Sequence, residues 1–173
     1  MNEDILVAPV ISGLELLGAG TSFTAEICEM LHKIPLFDDF TTSELAQVAS
    51  HMHAFRAPQN TLILKEGDRT SYLFIVLEGS ASVYKEDTNG TRKRLAQITA
   101  GKSFGEMSLI DDLPCSADIC TDTTARLLLI GRDNFRRLIE HHPMVGGRLL
   151  WRLARLISLR LRQTSSQLVD YLG

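Results

Sequence analysis

The spacing of glycine turns between residues 60 and 130 constrains the fold of this chain more than any other feature. Short stretches rich in β-branched, aromatic and aliphatic residues alternate there with glycine-containing turns, at intervals of about ten residues. Glycine adopts backbone angles that other residues resist, so each turn favours a chain reversal. We predict strands at Thr61–Lys65, Tyr72–Glu78, Ala81–Glu86, Arg92–Ile98, Ala117–Thr121 and Ala125–Ile130. Strands this short at this spacing predict an all-β sandwich or barrel.

Helices are predicted before these strands. Three glycines within residues 1–20 break any long helix, so this stretch is predicted to be a tail. Thr21 or Ser22 caps a first helix, and Thr41 begins a second one. A linker through Pro58 is expected to lead from the second helix to the strands.

The chain is predicted to end in two helices, Arg132–His141 and a long helix from about Met144 to Leu172. One apolar stripe of the long helix is suited to packing on the barrel: Leu149, Leu153, Leu156 and Leu159. A second set steps by four and three over three heptads: Leu150, Ala154, Ile157, Leu161, Thr164, Leu168 and Tyr171. Such a repeat is typical of a helix that pairs with another helix, so we interpret it as the seam of a homodimer. The alternative is that both sets pack within one chain.

Composition places the chain among ordinary globular proteins. Its 173 residues are enough for one well-buried core, and 45% of them are hydrophobic against 23% charged. No apolar run approaches the roughly 18 residues of a membrane span, and the acidic start lacks the basic region of a signal peptide. Three cysteines without metal-ligand spacing fit free thiols in a reducing compartment. We therefore expect a cytoplasmic protein without a membrane partner.

Charge is distributed unevenly along the chain. The net charge is −3, yet residues 126–162 carry nine arginines and two acidic residues, a local charge of +7 that leaves −10 for the remainder. Such a segment suits either a solvated helix face or contact with nucleic acid or an acidic protein partner. The negative overall balance argues against a dedicated nucleic-acid binder.

One segment between the predicted strands, Lys102–Asp118, has the pattern of an anion site. A Gly-Glu turn begins a short helical stretch that breaks at Pro114. Free backbone N–H groups and the helix dipole attract a phosphate to such a turn. The glutamate also stabilises those N–H groups when no ligand is present, so the residues alone leave both roles open.

The order of these elements resembles the cyclic nucleotide-binding domain. The resemblance runs from about Ile34 to Asp170 and rests on stretches that are specific only in combination: IPLFDDFTTSELAQVA, KEGD, FIVLEGSASVY, FGEMSLI and RLRQTSSQLV. The last of these is similar to the dimer helix of the bacterial catabolite activator. The resemblance implies an α+β fold that is mainly β: a β-roll (double-stranded β-helix or jelly roll) with N-terminal helices and a long C-terminal dimer helix. It divides the chain into a tail (1–20), the β-roll with flanking helices (21–142) and the dimer helix (143–173).

The functional residues of the family are carried over one position at a time. The resemblance implies a phosphate-binding cassette in which Gly105 lets backbone amides approach the phosphate and Glu106 accepts a hydrogen bond from the ribose 2′-OH. Thr164 and Ser165 would contact the purine, Ser165 from the partner helix, unless they only interrupt the dimer seam. The implied ligand-binding set is Phe104, Gly105, Glu106, Met107, Ser108, Cys115, Ser116 and Ala117.

The cassette departs from the family pattern where an arginine normally pairs with the cyclic phosphate. Cys115 stands at that position, Ser116 can still donate a hydrogen bond, and Asp118 adds a negative charge if it faces the pocket. Hydrogen bonds to charged groups are worth about 1.5–3 kcal/mol, or roughly a ten- to hundredfold change in affinity. We therefore predict that cyclic AMP, cyclic GMP or a cyclic dinucleotide binds weakly or not at all. Four arginines elsewhere could supply a cation instead: Arg69, Arg92, Arg94 and Arg126.

No enzyme chemistry is predicted. The histidines at 51, 53, 141 and 142 lack the i, i+4 spacing of a helical metal pair, so no metal site is expected. No catalytic triad, P-loop or paired-carboxylate pattern occurs. A redox role for Cys115 is disfavoured, because the neighbouring aspartates do not stabilise a thiolate.

The leading interpretation is therefore a regulatory or sensor module, a homodimer that signals through its last helix to a protein partner. Transcription factors of the family continue with a helix-turn-helix after the dimer helix, whereas this sequence stops at Gly173, so direct DNA binding is not expected. One alternative is a degenerate, ligand-free dimer that acts as a protein-interaction module through its basic C-terminal face. Another keeps the pocket and changes its ligand to a different nucleotide or a less anionic small molecule.

Overall fold

A computed structural model describes residues 12–19 and 23–172 of the chain, with side chains for 12–18 and 23–168. The helices in this part are α1 (Thr24–Leu31), α2 (Thr42–Ala49), α3 (Glu106–Asp111), α4 (Arg132–His141) and α5 (Pro143–Leu172), with a 3-10 turn at Pro35–Phe37. The strands are β1 (Glu15–Ala19), β2 (His53–Ala57), β3 (Leu62–Leu64), β4 (Tyr72–Glu78), β5 (Ser80–Glu86), β6 (Arg92–Thr99), β7 (Ser103–Phe104), β8 (Asp118–Thr121) and β9 (Ala125–Gly131). The six predicted strands and the last two helices are all present, within two residues of the predicted ends.

The strands form two antiparallel sheets that build the predicted β-roll. The first has five strands in the order β1-β2-β9-β4-β7, and the second has four in the order β3-β8-β5-β6. Consecutive strands are often not neighbours, so the chain crosses between the sheets repeatedly. Two of these crossings occur between β6 and β8, in the segment that contains β7 and α3.

Strand β9 shows how the two hydrophobic cores are separated. Leu127 and Leu129 point into a cluster between the two sheets, which we call the roll core. Leu128 and Ile130 point to the other face, into a cluster shared with the helices, which we call the helical core. Because successive strand residues face opposite sides and both sides are covered, the strand is a continuous apolar run.

Helix α5 is held to the helical core by buried leucines and by ion pairs. Leu149 and Leu153 are fully buried among residues of the other helices. Arg148 pairs with Glu44 of α2 at 2.9 Å, and Arg152 pairs with an aspartate just before α2. Glu44 also completes a capping box with Thr41, which fixes the start of α2 as predicted.

The predicted linker through Pro58 is wrong over its second half. Residues 53–57 form β2, which lies between β1 and β9 and has four of its five residues buried. The segment HAFRA contains no β-branched residue and no clean alternation, so its strand character comes from pairing with two neighbours rather than from local propensity.

The predicted tail is wrong for residues 15–19. These residues form β1, an edge strand that pairs with β2 and shifts register between Leu16 and Gly18. A side chain at Gly18 would overlap the ring of Phe23, so this glycine permits a close approach and does not end an element. The predicted caps Thr21 and Ser22 lie outside the described residues.

Leu159 does not belong to the inward stripe of α5, contrary to prediction, because it is 51% exposed. The stripe of buried Leu149 and Leu153 continues at spacings of three and four through Leu156 to Arg160. An arginine therefore takes the inward position that the sequence prediction gave to a leucine.

Candidate functional site

The turn that begins α3 requires glycine. Gly105 has φ of +81°, in the left-handed region, and a Cβ there would overlap the carbonyl oxygen of Tyr72 on β4. Strand β7 ends at Phe104, whose ring stacks on Phe74 of β4 with centroids 4.9 Å apart. The turn is thus fixed against the five-stranded sheet, and α3 begins directly after it.

Glu106, the first residue of α3, is buried and paired with the long helix. Its side chain is 4% exposed, and its Oε1 accepts a hydrogen bond from the Arg160 guanidinium. Arg160 also donates to the carbonyl oxygen of Ser103, immediately before the turn. Among the described residues, Glu106 Oε2 has no hydrogen-bond partner although it is buried.

The other end of α3 is tied to α4. The Arg132 guanidinium donates to the carbonyl oxygens of Ser108 and Leu109, the latter at 3.2 Å, and pairs with Asp112. These are the unsatisfied C-terminal carbonyls that a short helix leaves exposed. The sequence prediction did not identify either arginine, since both come from helices distant in sequence.

Cys115 lies in the roll core. It is 5% exposed, and its Sγ is 3.0 Å from the Thr70 hydroxyl and 3.8 Å from the Ser108 hydroxyl. Its backbone N–H donates to the carbonyl of Asp68, and its carbonyl accepts from the N–H of Gly67, both at 2.9 Å. The position where the family has an arginine therefore holds a neutral, packed side chain with hydroxyl neighbours.

Asp118 is engaged by groups of the four-stranded sheet and the turn after β3. Its Oδ1 accepts from the backbone N–H of Glu66 at 2.8 Å, and its Oδ2 lies 3.5 Å from the Arg92 guanidinium. Lys85 pairs with Glu66 at 2.6 Å and donates to the carbonyl of Ser116 at 2.7 Å. Arg92 and Lys85, which contact Asp118 and Ser116, are thus already paired.

The remaining predicted cassette residues differ in position. Phe104 and Ser108 are buried, Gly105 and Ala117 are half-buried, and Met107 and Ser116 are exposed. Of the four arginines considered as substitute cations for a phosphate, Arg69 and Arg94 are exposed and the other two are paired with carboxylates. Arg92 is paired as described, and Arg126 pairs with Glu26 and Glu78. The cation that reaches Glu106 is Arg160, which the sequence prediction did not include.

The predicted dimer seam is not covered by the rest of the chain that the structure describes. Leu150, Leu161 and Leu168 are 38%, 66% and 58% exposed. Ala154 is exposed and Ile157 is half-buried. Thr164 and Ser165 are exposed one turn beyond Arg160, and the Ser165 hydroxyl donates to the Leu161 carbonyl. The alternative in which both apolar sets pack within one chain therefore does not describe this structure.

Comparison with known proteins agrees with this geometry. The family model of the cyclic nucleotide-binding domain matches residues 54–142. This chain belongs to that family. A crystal structure of a cyclic nucleotide-binding domain from Methylobacillus flagellatus superposes with a TM-score of 0.82 and 30% sequence identity, and the match covers 99% of this chain and 96% of the other. The predicted family and the predicted β-roll with its long C-terminal helix are confirmed.

Curated relatives match this cyclic nucleotide-binding domain as part of longer proteins. The cyclic AMP receptor protein of Thermus thermophilus is 30% identical over 134 residues, which are 78% of this chain and 60% of the relative. The cAMP-dependent protein kinase regulatory subunit of Aspergillus niger is 31% identical over 109 residues, 63% of this chain and 26% of the relative. The chain thus spans between a quarter and three fifths of these two relatives, both of which have cyclic AMP in their names.

No cluster of three or more His, Cys, Asp or Glu side chains suited to a metal ion is found in residues 12–19 and 23–172. Within the same ranges, no helix combines the length and apolar character needed to span a bilayer.

Proposed function

We propose that this domain is a cytoplasmic, non-enzymatic regulatory module in which the occupancy of the cassette sets the position of helix α5. The observation that carries the proposal is the pairing of buried Glu106 with Arg160 of α5. A ligand that contacts Glu106 changes the surroundings of that pair, and therefore the free energy of the helix arrangement. A ligand can shift such an equilibrium only by its differential affinity for the two arrangements.

Cyclic AMP, cyclic GMP and cyclic dinucleotides are proposed to bind this cassette weakly. Cys115 is neutral and packed in the roll core, so it supplies no charge to a cyclic phosphate. The missing arginine contact is worth about 1.5–3 kcal/mol, which corresponds to roughly a ten- to hundredfold loss of affinity. The relatives that have cyclic AMP in their names support cyclic nucleotides as the ligand class, and Cys115 lowers the affinity expected of this chain.

Isothermal titration with the Cys115→Arg variant tests this part of the proposal. The wild-type protein is expected to bind cyclic AMP with a Kd above about 100 μM, and the variant at least tenfold more tightly. Limited proteolysis of α5 with and without cyclic AMP then reports whether ligand in the variant protects the helix. A wild-type Kd below about 10 μM contradicts the weak-binding prediction. An unchanged affinity in the variant contradicts the assumption that the cassette is intact apart from Cys115.

The proposed module is a homodimer through the exposed seam of α5. The helix has 30 residues, and its uncovered leucines recur at heptad spacing. Thr164, which belongs to the seam, and Ser165, which follows it on the helix, are proposed to contact the purine of a bound nucleotide. Size-exclusion chromatography with light scattering should give a dimer for wild type and a monomer for Leu161→Glu. Leu159→Glu is the matched control, since Leu159 is 51% exposed but lies outside the seam. An unchanged mass for Leu161→Glu contradicts the seam.

A second candidate function is a ligand-free protein-interaction module. It is favoured by one observation, that Glu106 is already paired with Arg160 while Cys115 belongs to the roll core. If the cassette only stabilises the fold, neither the wild type nor Cys115→Arg should gain thermal stability with any nucleotide. A stable dimer with this result would support the interaction module.

A further inference from the structure

We propose that the cassette takes an uncharged ligand with a sugar-like diol, a nucleoside or a free sugar, in preference to a cyclic phosphate ester. The inference rests on the proposed function, because it names the ligand class of the same site. Three features of the described residues carry it: an unused buried carboxylate oxygen, four cations that are already engaged, and a set of small neutral polar side chains.

The first feature is Glu106. Arg160 holds Oε1, whereas Oε2 is buried and has no hydrogen-bond partner among the described residues. A buried carboxylate oxygen without a donor is costly, and it accepts a hydroxyl hydrogen strongly. A ligand diol can donate to Oε2 while the Arg160 pair stays in place, so binding does not require the helix contact to break.

The second feature is the charge balance. Glu106 and Arg160 neutralise each other, and three further cations near the cassette are already engaged. Arg132 is bound by the carbonyls and carboxylate at the end of α3, Arg92 by Asp118, and Lys85 by Glu66. A phosphate monoanion would therefore bring a negative charge close to a buried carboxylate while these four cations are engaged by other groups, whereas an uncharged ligand adds no charge to the site.

The third feature is a set of uncharged polar groups, those of Thr70, Cys115 and Ser108. The Cys115 sulfur is 3.0 Å from the Thr70 hydroxyl and 3.8 Å from the Ser108 hydroxyl. Ser108 is on the same short helix as Glu106 and is also buried. Hydroxyl groups can rotate to donate or accept, so these groups suit the hydroxyl and ether oxygens of a sugar and supply no charge for a phosphate.

The test is a thermal-shift and titration panel on the wild-type chain with adenosine, guanosine, ribose, cyclic AMP and cyclic GMP, at low and high salt. We expect adenosine, guanosine or ribose at 1 mM to raise the midpoint by about 2 °C or more, and the cyclic nucleotides to raise it less. Affinity for the uncharged ligand should change less than twofold between 50 mM and 500 mM NaCl, because no ion pair with the ligand forms. A shift with ribose alone identifies a sugar site, and a shift only with nucleosides adds a base contact; both support the proposal.

Variants locate the ligand in the cassette. Glu106→Gln should weaken the uncharged ligand at least tenfold, whereas Glu86→Gln, at an exposed position outside the cassette, should change it less than twofold. Cys115→Arg should reverse the preference toward the cyclic nucleotides. If Glu106→Gln does not fold, the ligand panel on the wild-type chain at low and high salt still tests the proposal.

Two outcomes overturn the inference. One is a larger shift with a cyclic nucleotide than with any uncharged ligand on the wild type. The other is no shift with any uncharged ligand while Cys115→Arg gains cyclic AMP binding, which leaves the proposed regulatory function standing. If Cys115→Arg gains nothing and the uncharged ligands also fail, both the inference and the proposed function are wrong.

Discussion

The helical core and the roll core meet on the cassette, and they differ in how they use charge. On the helical side, Leu109 packs among the helices, while Arg160 and Arg132 bind the two ends of α3. On the roll side, Phe104 and Cys115 are buried among apolar strand residues without an ionic partner. The contacts that connect the cassette to the helices are thus present, whereas the contact that the family uses for a cyclic phosphate is absent. In the proposed function, the helical side transmits the signal and the roll side selects the ligand, so the two roles depend on different residues.

The largest effect is expected at the junction of the two cores. Gly105→Ala should destabilise the protein by about 3 kcal/mol, because the alanine has to adopt positive φ and its Cβ overlaps the Tyr72 carbonyl. Gly67→Ala is the matched control: Gly67 also has positive φ, but its Cβ position is open, so about 1 kcal/mol is expected. Urea unfolding measures both. Equal losses for the two variants would show that the overlap relaxes and that the junction is not rigid.

The next effect concerns the charged helical side. Arg160→Met should lower stability by about 2 kcal/mol, because it leaves the buried Glu106 carboxylate unpaired; the partial exposure of Arg160 reduces the cost of a fully buried pair. Arg155→Met is the control, since Arg155 is exposed on the same helix without an ion pair among the described residues, and it should change stability by less than about 0.5 kcal/mol. A loss for Arg160→Met no larger than for the control would remove the link between the cassette and α5.

A smaller effect is expected on the uncharged roll side. Cys115→Ser should cost about 1 kcal/mol, because a more polar group enters the roll core but keeps its Thr70 neighbour. Cys120→Ser at the half-buried neighbouring cysteine should cost less than about 0.5 kcal/mol. If Cys115→Ser is neutral in urea unfolding, the side chain is not packed as described.

The smallest effect in this series is the response to acid. Lowering the pH should reduce the stability of the helical core before that of the roll core. Burial lowers the pKa of His51, at the end of α2, and His142, His141 and Arg137 add like charge, while a hydrogen bond to the Gln47 carbonyl opposes the shift. The unfolded chain therefore binds a proton at higher pH than the folded chain. Stability is fully present above the ordinary histidine pKa of about 6.5 and is lost as pH falls through the folded value.

Hydrogen exchange corrected for intrinsic rates checks this order. Protection of α2 and α4 should fall between pH 7 and pH 5, while protection of β5 and β8 should not. His51→Gln should reduce the difference between the two regions. Equal loss of protection in both sheets and helices would assign the acid response to the whole protein.

Much of the fold follows from local patterns, and the remainder depends on long-range pairing. The glycine turns gave the ends of β4 without error, because a turn and an apolar run are both local signals. Strand β2 has neither signal, and it exists because β1 and β9 lie on either side of it. The same distinction applies to the cassette. Gly105, Glu106 and Cys115 lie in one short segment that the sequence identifies as a cassette, whereas Arg160 reaches Glu106 across 54 residues. Its position in phase with Leu149 and Leu153 was the one available signal, since an arginine in a buried helical stripe needs a carboxylate partner.

The attachment of α3 at both ends restricts how the cassette can move. The helix has six residues, about 9 Å in length, and Arg132 and Arg160 bind its opposite ends from two consecutive helices. If α5 moves while α4 stays on the sheet, the first end of α3 is displaced and the second is not. The expected motion is then a rotation about the Arg132 end, with its largest displacement at the Glu106 end.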